Sequence, residues 1–458
     1  MNDATPQMTR AGAASAAMPL RDALRLTRAA VRETVRSDVP GSQRGVALLI
    51  VMVTVAVMGA MSTEFAYNTR TNIWMAGNVT AETQALYHAR SSMEIALLAV
   101  NAKKNFPQMK TALSLMGGGG GGTGIEIWRQ ACEFVHVFST GRANFFGLDI
   151  LDMSKEEAVG VREGGAFECV VTAEDSRTNL NAASTDPPSA LGALRQAAQN
   201  RAQGGARPAA FNLDVQRKQL GLKLYGLLRP FLDSGEFDSE DEMIQVILNV
   251  MDWTDADDNK TDVGPNGEFI ESGGSEAADY ARYGYEVKNA KMDTVGEVQL
   301  VAGMASDIYC KIRDKLTVFS TGKLNVNDAD LATLKGVLCQ AIDDEALRLQ
   351  LCWNVLPGVV PPIDEALIML ETCRELKKAA FSTPFTNMSK FISFFRDFPV
   401  TMQTGTSLPV NARTVQDHLD VMTTMVRIEA TGTFHQTKRK LTTVVDLSTG
   451  EPVYFNIQ

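Results

Sequence analysis

Between Asp252 and Asp279 the chain places nine carboxylates and a single lysine, Lys260. Asp252, Asp255, Asp257 and Asp258 fall within seven positions, and Asp262, Glu268 and Glu271 follow, while Gly264, Gly267, Gly273 and Gly274 loosen the backbone. Carboxylates this dense repel one another unless a cation sits among them, and an all-oxygen donor set suits a hard ion with about six to eight ligands. Ca²⁺ in a weak site of the extracellular kind is the expected ion, with these seven acids as candidate ligands. An EF-hand frame starting at Asp255 does not fit, because its sixth position is Lys260 in place of Gly and its twelfth is Asn266 in place of Glu. A solvated acidic loop that binds nothing is the competing reading.

Other residues with chemical potential point away from catalysis. The four histidines, His88, His136, His418 and His435, are scattered, and neither a Gly-x-Ser-x-Gly elbow nor a His-Glu-x-x-His pair occurs. His88 is expected to pack, not to ligate. Cys132, Cys169, Cys310, Cys339, Cys352 and Cys373 contain no Cys-x-x-Cys, which disfavours zinc and thioredoxin-like redox chemistry. Their even number permits disulfides in an oxidising compartment, and buried free thiols are the alternative. Six consecutive glycines at 117–122 lack the Lys and the following helix of a phosphate loop, so they read as a connector. The stretch from Leu300 to Met304, followed by Lys311, Arg313 and Lys315, resembles a helix-hairpin-helix in fold. One glycine, acidic surroundings and a net charge of -10 exclude nucleic acid as the expected partner.

The elements that must carry these residues begin with an apolar run from Val46 to Met61, uncharged on through Ser62 and Thr63 to Glu64. As a helix of about 18 residues it spans about 27 Å, close to the hydrocarbon thickness of a bilayer. Residues 1–45 hold seven arginines and four acids. The positive-inside bias therefore puts the N-terminus in the cytoplasm and the body outside, with a single pass through the membrane. A secretory signal cut near Ala60-Met61-Ser62 is the alternative, but Val79, Leu86, Ala89, Met93, Leu97 and Val100 continue a helical period past the run. Strands are expected at 134–138 and 166–172, and a hairpin at 426–434 and 440–446. Helical signals fall at 191–201, 214–228, 239–251 and 306–316, with further helices over 328–400. A short echo links Val137-Phe-Ser-Thr-Gly-Arg-Ala-Asn144 to Val318-Phe-Ser-Thr-Gly-Lys-Leu-Asn325, and Asn179-Leu-Asn181 to Asn325-Val-Asn327. The Asn residues are expected to cap turns where strands pass into helices.

Several of these pieces stand in a familiar order. Arg-Gly-Val-Ala-Leu-Leu-Ile at 44–50, Asn-Leu-Asn-Ala-Ala at 179–183, Asp-Trp-x-Asp-Ala-Asp-Asp at 252–258, Val-Gly-Glu-Val-Gln-Leu-Val-Ala-Gly-Met at 295–304 and Leu-Asn-Val-Asn at 324–327 make the chain resemble the minor pseudopilin K family of the type II secretion system. The resemblance implies that prepilin peptidase cuts between Gly45 and Val46, with Arg44 on the basic side. Most pilin-like proteins carry Glu at the fifth residue after the cut, where it neutralises a neighbour's terminal amine in the filament core. Here that residue is Ile50, a departure the K family shares, which implies a terminal place in the filament. Val46 at the first position and the 45-residue leader depart from the usual pattern, with Met8 and Met18 as alternative starts.

The expected fold is α+β: a leader over 1–45, a membrane and pilin-like long helix over 46–110, and the first part of a pilin-like antiparallel sheet domain over 111–185. A large inserted helical domain of SAM or helix-hairpin-helix type over 186–316 follows, then a return to the sheet domain over 317–458. The resemblance implies a non-enzymatic subunit at the pseudopilus tip that supports export of folded proteins. It also implies as partners the minor pseudopilins I and J and, through them, H and the major pseudopilin G, and raises the calcium reading of the acidic loop. An envelope protein binding extracellular DNA and an anchored metal-dependent hydrolase are the alternatives.

Overall fold

The computed structural model describes residues 44–101, 126–132, 135–136, 142–145, 148–152, 164–184, 213–265, 269–320, 322–353, 360–379, 382–397 and 408–458. The leader before Arg44, the glycine run at 117–122, the helical signal at 191–201 and Glu268 lie outside the described residues. The chain divides into two compact units, 1–79 and 80–458. In the first, helix α1 (Arg44–Val100) begins, and from Gly45 to Thr80 every residue is exposed. This is a helix long and apolar enough to cross a membrane.

In the second unit the end of α1 lies on an antiparallel sheet. After strands β1 (Arg142–Phe145) and β2 (Leu148–Asp152) comes β3 (Gly165–Ala173), which pairs with a strand from the far end of the chain. The first helical module follows: β4 (Thr178–Asn179), α2 (Leu213–Asp233), α3 (Glu240–Thr254), the hairpin β5 (Asn259–Val263) and β6 (Phe269–Ser275), α4 (Ala277–Tyr280), α5 (Ser306–Ile312) and β7 (Leu316–Thr317). The second contains β8 (Leu324–Asn325), α6 (Leu331–Gln340), α7 (Glu345–Cys352), α8 (Pro362–Ala379), α9 (Met388–Arg396), α10 (Ala412–His418) and β9 (Leu419–Asp420). The chain ends in β10 (Met425–Phe434), β11 (Thr437–Asp446) and β12 (Pro452–Ile457), and the sheet order is β12-β11-β10-β3.

The face of α1 that meets the sheet is lined by Ala85, Ala89, Ser92, Met93, Ala96 and Ala99. Val79, expected on that face, is exposed; helix α1 is described to Val100, and residues 102–110 of the expected long helix lie outside the described residues. Small residues at spacings of three and four let the helix backbone come close to the sheet, and a Cβ added at Gly432 of β10 would fall on the Ala85 carbonyl oxygen and the Ala89 nitrogen. At the helix end, the Asn101 amide donates to the Gly450 carbonyl at 3.2 Å. Alternation in β10 sends Val426, Ile428 and Ala430 into this core, joined by Leu441 and Val445 of β11 and Phe167 and Ala173 of β3. The strand expected at 134–138 is a correction: Val135 and His136 are helical, and Ala131 and Val135, four apart, both enter the helix-sheet core. A disulfide from Cys132 to Cys169 ties that segment to β3.

The Asn echo is a repeated piece of construction. Asn179 accepts the Asn181 N–H at 2.9 Å, and Asn325 accepts the Asn327 N–H at 2.8 Å. Asn181 then accepts the Met292 N–H and donates to the carbonyls of Met292 and Val318. Asn327 likewise accepts the Phe385 N–H and donates to the carbonyls of Phe385 and Val421. Each module thus opens on a strand ending in Asn-x-Asn and closes on a parallel partner, β4 with β7 and β8 with β9. Each also has its own apolar core. The helical region therefore extends past 316, and the chain rejoins the four-stranded sheet only at Met425. The modules meet where α2 crosses α6 at paired glycines: a Cβ on Gly336 would lie 2.7 Å from Gly226 Cα. A second disulfide, Cys339–Cys352, staples α6 to α7, and Cys310 and Cys373 are free thiols.

The helix-sheet contact yields a direct expectation. Gly432→Ala should cost about 1–3 kcal/mol or more in denaturant unfolding of the detergent-solubilised chain, because the added methyl meets helix backbone that cannot rotate away. Gly273→Ala, where nothing lies within 4 Å of the added carbon, should cost far less. Equal effects of the two substitutions would refute the close approach.

Candidate metal centre

Helix α3 sets out the first part of the centre. Ser239 caps it by accepting the Glu242 N–H at 3.2 Å, and Glu240, Asp241 and Glu242 sit in the first turn, where the helix dipole favours negative charge. Its other end is the reverse. Asp252 lies in the last turn and Asp255 is the C-cap, so two carboxylates three residues apart face the negative pole of the dipole. Both are buried, at 2% and 1% exposure. After α3 the chain turns into the β5–β6 hairpin, whose register pairs Asn259 with Ser275 and delivers Glu276, 1% exposed, back to the helix end.

Among the described residues, Asp252, Asp255 and Glu276 form one group whose ligand atoms all lie within 4.8 Å of one another. Their oxygens are poorly served by the protein. Asp252 Oδ1 accepts the Thr261 N–H at 3.0 Å, and Asp255 Oδ2 accepts from Arg217 Nη2 of α2 at 2.8 Å. Asp255 Oδ1 and both oxygens of Glu276 have no hydrogen-bond partner. Buried carboxylate oxygens without donors are expensive, and three of them converging is the donor set a hard divalent ion takes. The residues present therefore fit a cation.

The electrostatics agree. Burial pushes the Asp252 carboxyl up to about 6 against the Thr261 hydrogen bond. Burial, with the charges of Asp257 and Asp252 added, brings Asp255 to about 7 despite Arg217. Glu276 rises to about 9 through burial and then through the neighbouring Asp255, Asp252, Asp257 and Asp258.

The other candidate ligands are placed differently. Asp257 accepts the Asn259 N–H at 2.9 Å in a side-chain turn, and the exposed Asp258 accepts the Ser275 hydroxyl at 3.1 Å. Both border the triad without joining it. Asp262 is exposed and bonds its neighbour's N–H, and Glu271 is exposed on β6. Lys260 pairs with Asp279 at 2.7 Å. Two members of the centre, Glu276 and Arg217, were outside the predicted ligand set. The Gly273-Gly274 pair before Glu276 hinted at a hairpin end, but only the strand register shows which acid returns to α3.

The remaining predicted features find other uses. The 300–304 hairpin packs in the first module: Gly303 lies against Val246, the Ala302 carbonyl accepts from Asn249 at 2.9 Å, and its N–H donates to the Tyr280 hydroxyl at 3.3 Å. Those backbone groups are spent inside the protein. His88 is buried and stacks on Phe434 with ring centroids 6.2 Å apart. Gly45, Val46 and Ile50 are exposed on α1.

No family model matches the sequence, and no curated protein matches it. Among solved structures, the chain is similar to one in the crystal structure of the GspK-GspI-GspJ complex from the enterotoxigenic Escherichia coli type 2 secretion system. The two are 12% identical, with a TM-score of 0.42 over 85% of this chain and 99% of that one.

The raised carboxyls fix the sign of a pH effect. Between about pH 4.5 and 9 the folded protein holds the Glu276 proton more tightly than the unfolded chain, so this group's contribution to stability falls as pH rises. In chelator at pH 8, Glu276→Gln should therefore melt above the wild type, and the difference should shrink toward pH 5. A Gln variant that melts lower at pH 8 would contradict this burial of charge.

Proposed function

We propose that this chain is a minor pseudopilin of the K type, which caps the pseudopilus tip of a type II secretion system and supports export of folded proteins. The observation that carries the proposal is α1: a 57-residue helix, Arg44–Val100, that is uncharged from Gly45 to Thr63, exposed through its first half, and packs its last turns on an antiparallel sheet. A cleaved signal sequence would have no reason to continue into a docked helix. Two helical modules inserted between adjacent strands β3 and β10 add bulk beside the sheet, and Ile50 offers no carboxylate to a neighbour's amine, both of which suit a terminal subunit. Two disulfides in the body favour an oxidising compartment, which supports a body on the periplasmic face of the inner membrane. The partners that follow are prepilin peptidase for cleavage after Gly45, and the minor pseudopilins I and J, with H and the major pseudopilin G beyond them.

The mature chain should begin at Val46, and Gly45→Leu should block its processing in cells that carry the peptidase. N-terminal sequencing that found Thr63 as the first residue would rule the assignment out.

The buried triad belongs to the same proposal as a structural Ca²⁺ site held by Asp252, Asp255 and Glu276. The bound ion would supply positive charge at the C-terminal end of α3 and tie that helix to the β5–β6 hairpin. Binding to the folded state alone stabilises by about 2.7 kcal/mol when the ion is a hundredfold above its Kd. Millimolar Ca²⁺ should thus raise the melting temperature of the full chain in detergent, Mg²⁺ less so because it demands tighter octahedral geometry. Asp255→Asn with Glu276→Gln should abolish the rise. A wild type that melts identically in calcium and in chelator has no such site.

A further inference from the structure

Beyond the presence of an ion, and resting on the reading of the triad as a cation site, we propose that Arg217 is the residue that sets the valence the site accepts, by subtracting one charge and one ligand oxygen from it. The arginine comes from α2, outside the acidic loop, and its side chain is 5% exposed. It reaches Asp255 Oδ2 at 2.8 Å while its Nε finds no acceptor, so the pairing with Asp255 is the guanidinium's compensation for burial. Among the described residues it is the cation hydrogen-bonded to the triad; Lys260 is engaged by Asp279.

Three carboxylates and one guanidinium carry a net charge of -2, to whose field the bordering Asp257 and Asp258 add, so the arginine is the group that offsets negative charge at the triad itself. Arg217 also occupies Oδ2 and leaves Asp255 Oδ1 as that residue's unpartnered oxygen, whereas Glu276 keeps both of its own. Fixed charge acts on a cation in proportion to the cation's charge, so the arginine opposes a trivalent ion half again as strongly as a divalent one. Loss of the arginine should strengthen binding of both ions, the trivalent more.

The test uses the full chain in detergent. Terbium is followed by its luminescence sensitised through Trp253, the buried neighbour of Asp252 in sequence, and calcium by calorimetry and by competition with terbium. Arg217→Met should raise the terbium-to-calcium affinity ratio by about tenfold or more, from removal of one nearby charge at intermediate dielectric, and Arg217→Lys should leave it near the wild-type value. Arg217→Gln, which removes the charge and keeps a polar side chain, should raise the ratio as well, and it provides the measurement if circular dichroism shows that Arg217→Met does not fold. An unchanged or lowered ratio in Arg217→Met, or in Arg217→Gln where that variant is the one measured, overturns the role of Arg217 while leaving the cation site standing. A wild type that binds neither ion overturns both.

Discussion

The second unit is organised around a contact with almost no side chain in it. At Gly432 the backbone of a strand touches the backbone of α1 between Ala85 and Ala89, and the helix keeps small residues along the rest of that stripe. Such an approach gains dispersion from many main-chain atoms, and it tolerates no added carbon. It also sets the register of everything beside it. With Gly432 under the helix, alternation sends Val426, Ile428 and Ala430 to the same side, and β11 and β3 follow through their pairing with β10. At the far end of β3, Glu174 receives Arg427 at 2.7 and 2.6 Å and the hydroxyl of Thr317 in β7, and Asp175 receives the Met425 N–H at 2.9 Å, so buried acids with partners hold β10 and tie the sheet to the first module.

That contrast gives the triad its meaning. Other buried polar groups in the modules are served to differing degrees: Asn181 and Asn327 each close three hydrogen bonds to the backbone, and Arg374, 1% exposed, donates to the Ala329 carbonyl at 2.9 Å and also meets the Val326 carbonyl and Glu371, while its Nε has no acceptor. Lys223, wholly buried, has its ammonium depressed to about 7 by burial and donates to the Gly322 carbonyl. At the end of α3, by comparison, three carboxylate oxygens are brought together and given nothing. Among the described residues, Asp255 and Glu276 are the buried carboxylates that keep oxygens without a donor.

Much of the architecture could be read from residue patterns. The apolar run and its helical continuation, the C-terminal hairpin within a few residues of its observed ends, and α2, α3 and α5 all carry strong local periodicity. The reading failed where tertiary contact overrides pattern. Of the residues expected on the docked face of α1, Ala89, Met93 and Val100 enter the core and Leu86 and Leu97 pack against it, but Val79 is exposed, and Ala85, Ala96 and Ala99, which also line the contact, carry too weak an apolar signal to be read from pattern. The run around Val135 alternates like a strand, yet it serves the core through positions four apart. For the acidic loop, composition singled out a stretch of chain and not which of its acids come together. Asp252 and Asp255 were legible because helix spacing places them together, whereas Glu276 and Arg217 depend on hairpin register and on packing between helices, neither of which is a local property of sequence.

The insertion of both modules between β3 and β10 has a consequence for the order of assembly. Each module buries its own core through contacts within its own stretch of chain, while the sheet needs strands from opposite sides of the insertion. Contacts that close long loops form late, and a chain made from its N-terminus presents β10 only after both modules have emerged. The alanine stripe of α1 therefore has no complete sheet to dock on until the last strands arrive. A truncated chain would keep its folded modules and lack the surface that receives the helix, so completion of the C-terminal hairpin is the step that joins anchor to body.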